Sequence, residues 1–186
     1  YVFSFIGLSY LLKKNNLEIY KVENLSVHGG SNRYYIKKTN NDKKIEISSY
    51  NQFRKEKKYG IDKINTYYSF KKRVEKSKKN LLLLFNKIKK QKKRIIGYGA
   101  TAKSTTILNY CKIGNEHIDY FLDTTPDKQN KYTPGSRIII KKYKKIDKSV
   151  DYIFLGAWNF KKEIFKKEKK FLSRGGKFIT HTPYPK

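Results

Sequence analysis

The sequence predicts an α/β fold whose C-terminal half is a small parallel sheet covered by helices. Three observations carry this. From Arg94 onward, short apolar runs alternate with helix-length amphipathic stretches, the pattern of strands that return in parallel through helical crossovers. The glycine turn GYGATAK, Gly97 to Lys103, joins the first such run to the first such stretch, and strand, glycine turn and helix open a Rossmann-like unit. Between about Lys63 and Lys93, apolar residues recur at roughly every third or fourth position, which makes one or two long amphipathic helices ahead of the sheet.

Each element follows in order. SFIGLSYLLKKNN, residues 4 to 16, reads as a helix: Ser4 caps it, Leu8, Leu11 and Leu12 share a face, and Asn15 and Asn16 end it. Leu17 to Glu23 and Arg33 to Lys38 are strand-like and flank a turn-rich HGGSN, so they read as an antiparallel pair. TNNDKKIEISSYNQFRKEKKYGID is polar and reads mostly as loop. After the long helical stretch come the strand RIIGYG, the helix TAKSTTILNYCKI and the strand IDYFLD. The polar loop TTPDKQNKYTPG leads to a short strand SRIII, then to the strand DYIFLGAW, the helix NFKKEIFKKEKKFLSR and the last strand GKFITH. No internal repeat recurs at a fixed period.

Composition narrows the function classes. A formal net charge of +29 points by itself to nucleic acid or an anionic surface. The lysines are spread evenly among Asn, Ile and Tyr, with no zinc finger, KH glycine loop or RNP aromatic strand. The charge therefore reads as a solvated background, and no nucleic-acid partner is expected. The single cysteine, Cys111, excludes an intrachain disulfide and a cysteine zinc site, and it fits a reducing cytoplasm. The longest apolar runs, VFSFIGLSYLL and LLLLF, are too short to span a bilayer, so no membrane partner is expected. The sequence contains no methionine and opens on Tyr1. The expectation is a piece of a longer polypeptide.

The glycine turn is the first candidate site. Gly97, Gly99 and Ala102 fit G-x-G-x-x-A: the first glycine for the tight turn, the second for close approach of a phosphate, the small third residue for helix–strand packing. Free N–H groups and the dipole at the helix start make an anion site there. Asp123 ends the next strand, where dinucleotide folds place the acid that binds a ribose hydroxyl. Lys103, in the first helical turn, either adds charge to a phosphate or is a surface lysine. The Walker A pattern is excluded by spacing. Trp158 and Asn159 follow a strand at its C-terminal end, where α/β folds hold ligands. Trp158 is equally readable as a core aromatic, and Asn159 as the N-cap of the next helix.

Five stretches, VHGGSNRYYI, GYGATAKSTTILNYC, FLDTTPDKQNKYTPGSRIII, DYIFLGAWNF and GGKFITHTP, then carry a resemblance in their order and over nearly the whole chain. The chain resembles the C-terminal part of the SAM-dependent sugar C-methyltransferases, which act on nucleotide-linked deoxysugars. The resemblance implies that residues 1–62 are the terminal helix and hairpin of a truncated SAM-dependent methyltransferase domain, 63–93 a connecting helix, and 94–186 a Rossmann-like domain that binds the sugar nucleotide. It implies S-adenosyl-L-methionine as cofactor of the full-length enzyme, zinc only in an N-terminal region that this chain lacks, and a nucleotide-linked sugar, of the dTDP class, as partner. The implied chemistry is proton removal next to a ketone, then attack of the enolate on the methyl group. The main base would be the histidine of a Tyr-x-Glu-His motif upstream of Tyr1, so this chain alone is expected to be inactive. His28 is either a second catalytic histidine facing the site or a turn histidine. Substrate contacts are expected from Gly97, Gly99, Ala100, Lys103, Asp123, Trp158, Asn159 and Arg33. The competing expectation is a stand-alone NAD-type binding module or oxidoreductase using Gly97, Gly99 and Asp123.

Overall fold

The computed structural model describes residues 3–27, 30–182 and 185. The chain divides into two compact units, Tyr1–Lys72 and Arg73–Lys186.

The first unit holds α1 (Phe5–Lys13), β1 (Leu17–Leu25), β2 (Ser31–Lys38) and α2 (Ile47–Tyr59). Ser4 caps α1 by accepting from the Gly7 amide at 3.0 Å. β1 and β2 pair antiparallel, with a register shift between Ile19 and Lys21. Phe5, Leu12, Ile19 and Val22 form a small buried cluster.

α2 overturns the expectation of a loop between residues 39 and 62. Its periodicity is invisible because the buried side chains of α2 are polar: Ser49, Gln52 and Glu56. Glu56, 5% exposed, accepts from the Phe5 amide at 2.8 Å, the Ile6 amide at 3.0 Å and the Gln52 side chain at 2.9 Å. The first amides of a helix have no intrahelical acceptor, and a carboxylate there also meets the positive end of the dipole. An acid in a lysine-rich stretch thus makes the interior contact that an apolar residue would make elsewhere. Gly60, in the left-handed conformation at φ 78°, closes α2.

The long helix α3 (Ile64–Lys90) contains the division between the units. The second unit is an α/β sheet domain of Rossmann-like type. Its strands are β3 (Ile95–Tyr98), β4 (Phe121–Asp123), β5 (Ile140–Lys142), β6 (Tyr152–Leu155) and β7 (Lys177–Ile179). All pair in parallel in the order β5-β4-β3-β6-β7. The helices are α4 (Ala102–Cys111), α5 (Lys161–Lys167) and α6 (Lys169–Ser173). Leu81, Phe85 and Ile88 of α3 and Leu108 of α4 pack with Ile95, Phe121 and Phe154. Ile164 of α5 and Phe171 of α6 pack with Ile96, Leu122, Ile153 and Leu155. The strands are therefore apolar on both faces. Fully buried Phe85 is worth about 3–5 kcal/mol against truncation to Ala.

Two details differ from expectation. The fifth strand starts at Ile140 and runs into lysines, not over SRIII. The helix expected over residues 159–174 is broken at Glu168, with φ −95° and ψ 27°, where its carboxylate turns inward to two tyrosines.

Candidate functional site at the C-terminal ends of the strands

From β3 the chain moves outward through β4 to β5, then crosses back to β6 and β7 on the other side of β3. The order reverses between β3 and β6, and the connections leaving those strands diverge. Open α/β sheets hold ligands in the crevice at such a point. Here its walls are the glycine turn after β3 and the segment 156–160 after β6.

The glycines are tightly packed. A Cβ on Gly97 would enter the Phe121 ring, and one on Gly156 would collide with the Gly99 carbonyl. Gly99 has φ 78°, and a Cβ there would lie 2.6 Å from that of Ala157. Thr101 and Ser104 form a reciprocal capping box on α4, and the Thr101 hydroxyl also donates to the Gly156 carbonyl at 3.1 Å. The two loops that make the crevice are thus hydrogen-bonded at its base.

The expectation of free amides at the turn is not met at two positions. The Ala100 amide donates to Asp123 Oδ2 at 2.8 Å, and the Thr101 amide donates to Ser104 Oγ at 3.0 Å. The other Asp123 oxygen accepts from the Thr125 amide at 2.8 Å, and Lys128 Nζ stands 3.6 Å from Oδ2. Burial pushes the Asp123 carboxyl up. The bonds from Thr125 and Ala100 and the charge of Lys128 outweigh that and hold it below the usual carboxylate range. Asp123 is only 7% exposed. Its carboxylate therefore braces the turn from inside.

Lys103 and Trp158 meet across the crevice, with Nζ 4.9 Å from the ring centroid. Trp158 is half-buried and packs on the α5 side of the core. Asn159 is exposed and is not the N-cap of α5; Phe160 takes that place, with no side-chain cap. Beside the crevice lies a cavity of about 370 Å³, lined among others by Tyr98, Asp123, Lys128, Tyr143, Phe160 and Lys167. At one wall, the Tyr98 and Tyr143 hydroxyls both donate to Glu168 Oε1, at 3.1 and 2.7 Å. Glu168 is buried. Burial, then the bond to Glu168, pushes the Tyr143 hydroxyl up to about 12, and burial raises Tyr98 as well. These phenols stay protonated.

Seven of the expected residues, Gly97, Gly99, Ala100, Lys103, Asp123, Trp158 and Asn159, come together around one crevice. Arg33 belongs to the first unit, on β2, exposed and paired with Glu23 at 3.0 Å. His28 lies outside the described residues. Tyr98, Tyr143 and Glu168 were not expected. Tyr98 sat in plain view between the two glycines, but nothing in a lysine-rich helix distinguishes Glu168 from a solvated acid.

Among the described residues, no group of three or more His, Cys, Asp or Glu side chains could hold a metal ion. No helix among them is long and apolar enough to cross a membrane.

A parallel α/β unit with its crevice at the reversal point, preceded by a helix and hairpin, defines a class that comparison with known families makes specific. The family model for the C-methyltransferase C-terminal domain matches residues 26–183, and the chain belongs to that family. C-methyltransferase NovU of Streptomyces niveus is 34% identical over 185 residues, which is 99% of this chain and 44% of that relative. The chain thus spans less than half the length of the relative it matches.

Proposed function

We propose that this chain is the sugar-nucleotide side of a SAM-dependent C-methyltransferase acting on a nucleotide-linked keto-deoxysugar of the dTDP class. In this reading, residues 1–62 are the end of the methyltransferase domain, 63–93 the connecting helix, and 94–186 the substrate-binding domain. The observation that carries it is the crevice between β3 and β6, where Lys103 and Trp158 face each other in a chain of this family.

The crevice residues divide their work. The Lys103 ammonium neutralises a phosphate of the bound nucleotide, as a point charge at a helix start. Half-buried Trp158 offers aromatic surface to the ligand, and Asn159 offers an exposed amide at the mouth. Gly99 brings backbone to the rim without a side chain. Asp123 and Ala100 act by holding the turn in shape. Bound S-adenosyl-L-methionine would supply the methyl group. In this reading, the residues that hold it belong to the remaining part of such an enzyme. The same bracing counts against the NAD-type module, which needs that acid for the cofactor.

The test is a titration of the chain with a dTDP-linked keto-deoxysugar, followed by the fluorescence of its only tryptophan, Trp158. Binding should change the emission, and Lys103→Ala should weaken affinity about tenfold. Quenching by NAD with no response to the sugar nucleotide would reverse the assignment.

A further inference from the structure

Glu168 is a buried carboxylate without a cation. It is 6% exposed, in a chain whose formal net charge is +29. Its side chain accepts from the Tyr98 and Tyr143 hydroxyls and, among the described residues, forms no ion pair with a lysine or arginine. It stands at the start of α6, yet it makes no side-chain bond to the first amides of that helix. Burying a carboxylate without a countercharge is costly, and an apolar side chain of similar size is often as stable or more so. Packing alone therefore gives no reason for an acid at this position.

The two phenols come from different walls of one cavity. Tyr98 ends β3 and lies between Gly97 and Gly99 of the turn. Tyr143 follows β5, and its amide donates to the Asp123 carbonyl at 3.0 Å. The two rings meet edge to face, with centroids 5.7 Å apart. Lys167 Nζ lies 3.5 Å from the centroid of the Tyr143 ring. Tyr98, Tyr143 and Lys167 all line the cavity of about 370 Å³ beside the crevice. Glu168 does not line it; it lines a neighbouring cavity of about 360 Å³ that shares Tyr143 and Lys167. Its influence on the first cavity thus passes through the tyrosines. One carboxylate oxygen ties together the end of β3, the segment after β5 and the break between α5 and α6.

We propose that Glu168 is a positioning residue for ligand binding. By accepting both phenol protons, it holds the Tyr98 and Tyr143 rings as a preset wall of the cavity, against which the nucleoside end of the sugar nucleotide packs. The inference rests on the sugar-nucleotide reading above. Rings fixed before the ligand arrives spare the ordering cost that mobile side chains would add on binding. The cavity is of a size that small-molecule sites commonly have, about 300–1,000 Å³.

Three variants of the chain test this, each titrated with a dTDP-linked keto-deoxysugar and unfolded in urea, both read at Trp158. Glu168→Gln keeps a carbonyl oxygen for both phenols and loses only the charge, so affinity should stay within about twofold of the parent. Glu168→Leu fills the space without an acceptor. Its affinity should fall at least about tenfold, while its urea midpoint stays close to the parent's. Tyr143→Phe leaves Tyr98 on the carboxylate and should weaken binding about threefold; it decides the matter if Glu168→Leu does not fold. Equal losses in Glu168→Gln and Glu168→Leu overturn the proposal, because the charge and not the held rings would then be the cause. A parent chain that binds, with Glu168→Leu and Tyr143→Phe binding as tightly, overturns this proposal alone. A parent chain that does not bind removes the sugar-nucleotide reading and this proposal with it.

Discussion

Replacing Asp123 with Asn separates a brace from a ligand contact. The carboxylate accepts from the Ala100 and Thr125 amides, one on each oxygen, both at 2.8 Å. Asn keeps one acceptor and turns an NH₂ group toward the other amide, so one bond is lost and two donors face each other. A hydrogen bond to a charged group contributes about 1.5–3 kcal/mol, and an unsatisfied buried donor costs about 1–3 kcal/mol more. The variant no longer buries a charge, which offsets part of this, and about 2–4 kcal/mol remains. For a unit of this size, that lowers the thermal midpoint by roughly 10 °C. Urea unfolding monitored at Trp158, which reports on the same unit, measures it directly. The turn should loosen, and sugar-nucleotide affinity should fall with stability. If Asp123→Asn unfolds within about 0.5 kcal/mol of the parent while affinity for the sugar nucleotide disappears, the carboxylate contacts the ligand and the reasoning is refuted.

Further outcomes follow from the same structure. Gly97→Ala sets a methyl group into the Phe121 ring and should cost about 1–3 kcal/mol of stability by overpacking, read by urea unfolding. Gly99→Val meets Ala157 and a left-handed backbone at once, so it should destabilise the unit by at least about 1 kcal/mol whether or not a phosphate approaches there. His181, buried after β7 and stacked on Phe154 at 5.3 Å, is held down to about 4 by burial, from an ordinary value of 6.5. The folded imidazole stays neutral where the unfolded one takes a proton. Stability is therefore full above pH 6.5 and falls as the pH drops toward 4, by up to about 3 kcal/mol. Urea unfolding across that range should show this slope, and His181→Phe should flatten it.

The parallel sheet was legible because its strands are apolar on both faces and its glycine turn sits between a strand and a helix; Ile95, Ile96, Phe154 and Leu155 announce the core by themselves. α2 was not legible, because its interior face is Ser49, Gln52 and Glu56 and helical periodicity is read from apolar residues. The break at Glu168 was hidden for a related reason: a carboxylate drawn inward by two tyrosines looks, in sequence, like any acid among lysines. At the site, residue types and spacing picked seven residues that lie around one crevice. They misjudged the turn's amides, since a glycine pattern specifies the shape of the backbone but not which acceptor occupies its N–H groups. Asp123 does so here, from the adjacent strand. That long-range pairing is written in strand order, which spacing along the chain does not reveal.

The most direct measurement is a backbone amide chemical-shift map of the chain titrated with a dTDP-linked keto-deoxysugar, and separately with NAD. The account predicts that the sugar nucleotide shifts Gly99, Lys103 and the segment from Ala157 to Asn159, and that NAD leaves them in place. Shifts induced there by NAD, or sugar-nucleotide shifts that bypass the crevice between β3 and β6, would contradict it.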